Sequence, residues 1–318
     1  MTDSSFKVNV VRKQVAAQDI VAFDLQAPGG EDLPAFEAGS HIDVHLPNGM
    51  VRQYSLCNDP RDRGHYQICV LRDPANRGGS AAMHDLVDTG DELLIGQPRN
   101  LFALAPGSHD SLLLAGGIGV TPMLAMAWRL HAQGVPFQMH YFTRSRSRTA
   151  FHDEIKNAPF SASAALWFDD EDSARPSIPD LLAQAAPGTH VYACGPAGFL
   201  DHVARSFEQT GLPAAQLHIE AFSAAPMAAG AAFDVTLRST GLTVHVGPAQ
   251  TVVEALAAQG VTIPVSCEQG ICGTCLTRVC EGRPEHRDQY LTDEEHAAND
   301  WFTPCCSRSL TPMLVLDL

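Results

Sequence analysis

Residues 266–276 read SCEQGICGTCL, which puts Cys267, Cys272 and Cys275 in one short loop, and the adjacent pair Cys305 and Cys306 follows after about thirty residues. Cys-x4-Cys-x2-Cys with a remote fourth cysteine is the plant-type spacing for a 2Fe-2S cluster, in which four thiolates hold two sulfide-bridged irons. Such a loop wraps tightly and aims backbone N–H groups at sulfur, and Gly270 and Gly273 supply the backbone freedom this needs. Structural zinc sites use two short ligand pairs instead of three ligands crowded into one loop. The fourth thiolate is Cys305 or Cys306, because neighbours in sequence do not both point inward. Cys57, Cys69, Cys194 and Cys280 read as small buried hydrophobes.

Outward from the loop, residues 233–246 read as a hairpin, Val252–Gln259 as a short helix, Cys275–Val279 as a strand and Met313–Leu316 as a closing strand. Residues 223–231, SAAPMAAGA, carry neither charge nor period and read as an interdomain linker. Before it, the apolar strand His190–Ala193 runs into Cys194-Gly195-Pro196 and a helix over Ala197–Glu208. Earlier still, Leu112–Ala115 leads through a glycine cluster into a helix ending near His131, then the strand Phe137–Phe142. Strand, glycine turn and helix in alternation indicate a doubly wound α/β domain. Residues 6–105 instead alternate in short segments such as Ile42–Leu46 and Tyr66–Leu71, broken by Pro-Gly, Asn-Gly and Asp-Pro, as in an antiparallel barrel.

A chain of 318 residues, 45% of them hydrophobic, suits three such domains: 1–105, 106–222 and, after the linker at 223–231, 232–318. The most apolar stretch, Leu112–Trp128, is interrupted by Gly116, Gly117, Gly119 and Pro122 and is too broken for a membrane span. The first residues lack the pattern of a secretory signal, so a cytoplasmic location is expected, where nine cysteines point to metal and not to disulfides. A net charge of -15 argues against nucleic acid and anionic membrane as partners. It favours a positively charged protein surface, and it also serves solubility.

Two regions carry ligand signals. Arg52-Gln53-Tyr54-Ser55 lies on an expected barrel strand, where alternation puts Tyr54 and Arg52 on one face, an aromatic ring and a cation suited to a flavin. Arg77-Gly78-Gly79-Ser80 precedes a helix expected over Ala81–Val87, and exposed N–H groups at a helix start beside an arginine bind phosphate. In the second domain Gly116-Gly117-Ile118-Gly119-Val120-Thr121-Pro122 follows a strand and opens a helix, with Thr121 suited to the N-cap and Pro122 to the first helical position. This turn departs from the G-x-G-x-x-G fingerprint of dehydrogenases. Cys194-Gly195-Pro196 ends another strand at the same carboxyl edge, where open α/β folds bind ligands.

In this order the motifs resemble the phthalate dioxygenase reductase and vanillate demethylase reductase group of the ferredoxin-NADP reductase superfamily, over essentially the whole chain. The resemblance implies a multidomain protein: an antiparallel flavin barrel, a doubly wound nucleotide domain and a C-terminal β-grasp ferredoxin domain. It places FMN against Arg52, Tyr54, Ser55, Arg77, Gly78, Gly79 and Ser80, and the nicotinamide nucleotide around Gly117, Thr121, Arg144, Cys194 and Gly195, with Phe222 lying against the flavin ring. It selects Cys305 as the fourth ligand through the pattern C-x-S-R ending at Arg308, with Cys306 packing beside the cluster. NADH is the implied donor, although Arg144, Arg146 and Arg148 also suit the 2'-phosphate of NADP.

A nicotinamide gives up two electrons together, whereas a 2Fe-2S cluster takes one, and a flavin divides the pair. The expected protein is therefore a monomeric reductase passing electrons from NADH through FMN and the cluster to a terminal oxygenase of the Rieske type, acting on an aromatic ring or an O-methyl group. The alternatives are a reductase for a cytochrome-type monooxygenase and a redox sensor without turnover.

Overall fold

A computed structural model describes residues 5–73, 78–107, 109–171, 175–222 and 229–318. The chain forms two compact units that meet in sequence at Phe222 and Ser223.

The first unit begins with β1 (Phe6–Ala17), β2 (Ile20–Gln26), β3 (Ser40–His45), β4 (Val51–Ser55) and β5 (Tyr66–Leu71), then α1 (Gly79–Leu86), β6 (Glu92–Ile95) and β7 (Arg99–Asn100). These strands pair antiparallel in the order β4-β3-β6-β1-β2-β5, with β7 beside β3. Leu56 bridges Ile68, and the Cys57 N–H donates to the Gln67 carbonyl at 3.0 Å, so the two ends of the sheet meet. Closure removes free edges that would otherwise template aggregation. Register shifts between Val10 and Arg12 and between Val15 and Ala17 bend the long β1 around the wall.

After β7 the period changes. β8 (Ser111–Gly116), α2 (Val120–Gln133), β9 (Phe137–Thr143), α3 (His152–Asn157), β10 (Ala164–Phe168), α4 (Ile178–Ala183), β11 (His190–Cys194), α5 (Ala197–Glu208) and β12 (Leu217–Glu220) follow. All five strands are parallel, in the order β10-β9-β8-β11-β12. Both faces of β8 are buried: Leu113 and Ala115 join the core that contains α2, while Leu112 and Leu114 join the one containing α4 and α5. A strand covered on both sides reads as a continuous apolar run. The chain moves outward through β9 and β10 and then returns to place β11 on the other side of β8, so a topological switch point lies between β8 and β11.

The second unit contains β13 (Phe233–Leu237), β14 (Thr243–Val246), α6 (Val252–Ala257), β15 (Thr277–Glu281), β16 (Pro284–Glu285), α7 (Asp293–Ala298), β17 (Trp301–Phe302), β18 (Arg308–Ser309) and β19 (Met313–Leu316). The main sheet runs β14-β13-β19-β15-β17, with only β13 and β19 parallel. This is the expected β-grasp arrangement. Thr251 and Glu254 form a reciprocal capping box on α6, which contributes about 1 kcal/mol to fixing the helix start.

Arg308 is 1% exposed and holds this unit together. Its guanidinium donates to the carbonyls of Gln250, Ala231 and Gly247 at 2.8–3.0 Å and lies over the Phe233 ring. Most of the linker expected at 223–231 falls outside the described residues. The strand expected from Cys275 begins instead at Thr277, because the Leu276 N–H bonds back to the Gly273 carbonyl and keeps Cys275 in a turn. No helix among the described residues is long and apolar enough to cross a membrane.

Candidate cofactor sites

The cysteine loop lies between α6 and β15, and Cys305 and Cys306 lie between β17 and β18. Cys267, Cys272, Cys275 and Cys305 are all buried. Their thiols stand in two pairs, Cys267 with Cys272 and Cys275 with Cys305, and the Cys306 thiol also lies beside that of Cys305. Among the described residues no three cysteine sulfurs gather within 4.8 Å of one another. Two pairs of soft donors suit two metal ions and not one tetrahedral zinc, which would draw all four sulfurs to a point.

Backbone N–H groups are aimed at sulfur, from Gln269 to Cys267 at 3.3 Å and from Thr274 to Cys272 at 3.5 Å. The loop glycines are required. At Gly270, with φ +74°, a Cβ would stand 2.4 Å from the Cys306 sulfur; at Gly273 it would enter the Tyr290 ring. Cys306 packs against Gly270 and is hydrogen-bonded to the Thr303 hydroxyl at 3.2 Å. Cys280 lies away from the loop on β15 and takes a long bond from Arg238.

In the first unit Arg52, Tyr54 and Ser55 lie on β4, opposite Val44, Ile42 and His41 of β3. Tyr54 is half-buried, and burial pushes its phenol well above the ordinary tyrosine range. The structure brings Arg52 to Gly79: a Cβ there would stand 2.6 Å from the arginine Nε. Gly78 takes φ +93° as the N-cap of α1, which starts at Gly79, two residues before the expected Ala81. The Ser80 hydroxyl accepts from the Asp73 N–H at 3.2 Å. Arg77 lies outside the described residues.

The two glycine turns of the α/β sheet meet at its switch point. A Cβ on Gly119 would stand 2.1 Å from the Cys194 carbonyl oxygen, and one on Gly195 would stand 3.0 Å from the Gly116 Cα. Gly117 has φ +55° with open space around it. The helix start differs from expectation. A 3-10 turn over Gly117–Gly119 runs straight into α2, so Gly119 is the N-cap and Thr121 lies inside the first turn, its hydroxyl donating to the Ile118 carbonyl at 3.1 Å. Pro122 is accordingly the third helical residue.

Gly119→Ala is expected to lower the thermal unfolding temperature by several degrees, since the neighbour is backbone and cannot swing away. Unchanged melting would mean that the two turns can separate.

Of the arginine run after β9, Arg144 is exposed and has no hydrogen bond or ion pair with a described residue. Arg146 is bound by Glu171 at 3.0 Å and lies over the Phe168 ring, and Arg148 pairs with Asp19 at 3.3 Å. Phe222 follows β12 as a partly exposed ring.

Sequence reasoning passed over Glu220, which ends β12 in register with Cys194. One carboxyl oxygen is shielded from solvent without a partner, and burial raises its pKa to about 8. The available signal was its position: a carboxylate ending a strand beside the C-G-P turn.

The chain is 48% identical over 315 residues to vanillate O-demethylase oxidoreductase of Pseudomonas sp. (strain HR199 / DSM 7063), covering 98% of this chain and 99% of that protein. The chain belongs to this family of oxygenase reductases. The crystallised phthalate dioxygenase reductase, described as a modular structure for electron transfer from pyridine nucleotides to [2Fe-2S], superposes with a TM-score of 0.80 at 36% identity, covering 99% of this chain and 98% of that one. An intact type IV self-sufficient cytochrome P450 monooxygenase matches with a TM-score of 0.81 at 38% identity, over 99% of this chain and 41% of that one. The 2Fe-2S iron-sulfur cluster binding domain model matches residues 235–310, and the dimethylamine monooxygenase subunit DmmA-like N-terminal domain model matches 97–217. This oxygenase reductase is thus an oxidoreductase built from a flavin- and nucleotide-type reductase and a 2Fe-2S ferredoxin segment.

Proposed function

We propose that the protein is the NADH-dependent reductase component of a Rieske-type aromatic-ring oxygenase or O-demethylase, with the reductase parts at 1–105 and 106–222 and the ferredoxin part at 232–318. The observation that carries this is the end-to-end likeness to vanillate O-demethylase oxidoreductase, with all four cluster cysteines buried in two pairs. The test is reconstitution with candidate terminal oxygenases: NADH-driven loss of vanillate or another aromatic substrate is expected. Failure with every aromatic-ring oxygenase and demethylase would overturn it.

FMN, when bound, takes up the two electrons of a hydride together and releases them singly. The chain's own residues supply binding and orientation. Arg52, with the N–H groups of Gly78, Gly79 and Ser80, would offer a terminal phosphate a cationic cradle, with Arg77 adjoining it in sequence. Tyr54, on the Arg52 face of β4, would hold the ring system, and Ser55 lies on the opposite face. Phe222, a partly exposed ring after β12, would lie against the flavin ring. FMN is expected by mass after acid release; FAD would refute the assignment.

Gly117, Thr121, Cys194 and Gly195 form the floor on which the dinucleotide lies at the switch point, with Arg144 reaching its phosphates. Cys267, Cys272, Cys275 and Cys305 hold the cluster. The protein works as a monomer in the cytoplasm, in keeping with a cysteine set that serves a metal cluster and forms no disulfide.

Donor preference follows from charge. Glu171 already occupies Arg146, and Asp19 occupies Arg148, so little cationic capacity is left for a 2'-phosphate. NADH is expected to exceed NADPH in kcat/KM by at least tenfold. Glu171→Gln, which releases Arg146, is expected to narrow that gap several-fold; an unchanged ratio would place the adenosine elsewhere.

The match to the self-sufficient monooxygenase favours a second reading, delivery to a cytochrome-type acceptor. Turnover with such a partner and none with a Rieske oxygenase would select it.

A further inference from the structure

Outside the cysteine set, the second unit gathers one more group of metal-ligating side chains: His286, Asp288 and His296, whose ligand atoms lie within 4.8 Å of one another. His286 and Asp288 flank Arg287 in the segment that follows β16, and His296 projects from α7. We propose that these three residues form a second, mononuclear site for a divalent first-row metal ion, zinc being the best fit.

Three observations converge on it. His286 is nine-tenths buried, and neither ring nitrogen makes a hydrogen bond of ordinary length, its polar neighbours being Asp288 and Asn299. A buried imidazole left so is costly unless something else satisfies it. Its Nδ1 stands 3.6 Å from Asp288 Oδ1, and His296 Nε2 stands 3.3 Å from Asp288 Oδ2. The second is a long hydrogen bond, and the first lies beyond hydrogen-bonding distance. Both separations are close to the edge of a tetrahedron whose metal–ligand bonds are those of zinc, about 3.3 Å.

The carboxylate is also pre-set. Asp288 is wholly buried and accepts from the Leu291 N–H at 2.9 Å, the Tyr290 N–H at 3.3 Å and the Ser307 hydroxyl at 3.3 Å. Such outer hydrogen bonds orient a ligating carboxylate. The two imidazoles stack at 4.3 Å between centroids. Two imidazoles and one carboxylate leave a fourth position for water, and His296, at 27% exposure, is the side from which an ion enters.

The site borders the cluster loop. The Gln289 N–H bonds to the Gly270 carbonyl at 3.0 Å, and a Cβ on Gly270 would stand 2.9 Å from that of Asp288. An ion here would stiffen the wall of the cluster pocket without touching the cysteines.

Zinc chloride titrated calorimetrically into the holoprotein, after passage over a chelating resin and with cluster absorbance checked, is expected to show one zinc per chain at micromolar affinity or tighter. His296→Ala and His286→Gln, each compared at full cluster content, should weaken binding at least tenfold. His245→Ala, an exposed histidine paired with Asp234 in the same unit, should leave it unchanged. Absence of stoichiometric zinc, or equal affinity in wild type and both variants, would overturn the site and leave the trio as a hydrogen-bonded brace. Neither result depends on which acceptor the reductase serves.

Discussion

Cys305→Ser is expected to abolish the 2Fe-2S cluster, with iron falling from two per chain to near zero and no rhombic signal after reduction, whereas Cys306→Ser retains both. The neighbours differ in what surrounds their sulfurs. Cys305 meets Cys275, completing the second of two thiol pairs. Cys306 lies beside Cys305 but meets Gly270 and the Thr303 hydroxyl instead of Cys275, and a serine oxygen there can keep the hydrogen bond. A serine at 305 substitutes a hard, weakly acidic oxygen for a soft thiolate on one iron, a poor exchange for a sulfide-bridged cluster. Cys280→Ser, on β15 and outside the pairs, should also retain the cluster. Iron analysis and low-temperature electron paramagnetic resonance on the three variants decide the matter. An intact cluster in Cys305→Ser, or its loss in Cys306→Ser, would transfer the ligand role to Cys306.

A chain ending after residue 228 is expected to remain a folded flavoprotein that reduces ferricyanide with NADH at nearly the full-length rate. Its transfer to the oxygenase, or to cytochrome c as a surrogate, should fall by at least a hundredfold. The first unit carries its own cores, one spanning the barrel and α2 and one under α4 and α5, so nothing in its folding requires the ferredoxin segment. Hydride transfer needs only nicotinamide and flavin. Delivery to a protein partner is expected to need the cluster as an exit, because the flavin divides the pair but a bulky protein acceptor, unlike ferricyanide, cannot come close to it. Stopped-flow flavin reduction and steady-state acceptor assays read the two halves separately. Oxygenase turnover at the full rate in the shortened chain would show that electrons leave without passing through the cluster.

The sequence was legible wherever the signal was local. Cysteine spacing, the strand–glycine–helix alternation and strands such as His190–Ala193 or Met313–Leu316 depend on neighbours in the chain, and the observed elements agree within about two residues. The misses have a common cause. Thr121 carries a good capping side chain, yet the 3-10 turn at Gly117–Gly119 extends the helix backward past it. That turn is set by the packing of Gly119 on the Cys194 carbonyl, 75 residues away in the chain. Glu220 drew no reading from the sequence; only the fold places its carboxyl beside Cys194 and out of water.

By itself, then, the sequence determined the kinds of fold and the family, because periodicity, turn chemistry and ligand spacing are written along the chain. It read three domains, and the chain groups the barrel and the α/β sheet into one of two compact units. Tertiary structure alone decided which side chains share a site. It sorted the thiols into two pairs, set Gly79 under Arg52, turned Glu171 and Asp19 onto two of three arginines that sequence left equivalent, and brought His296 to Asp288. Those outcomes rest on contacts between segments far apart in the chain, governed by close packing and charge pairing, and no local pattern encodes them.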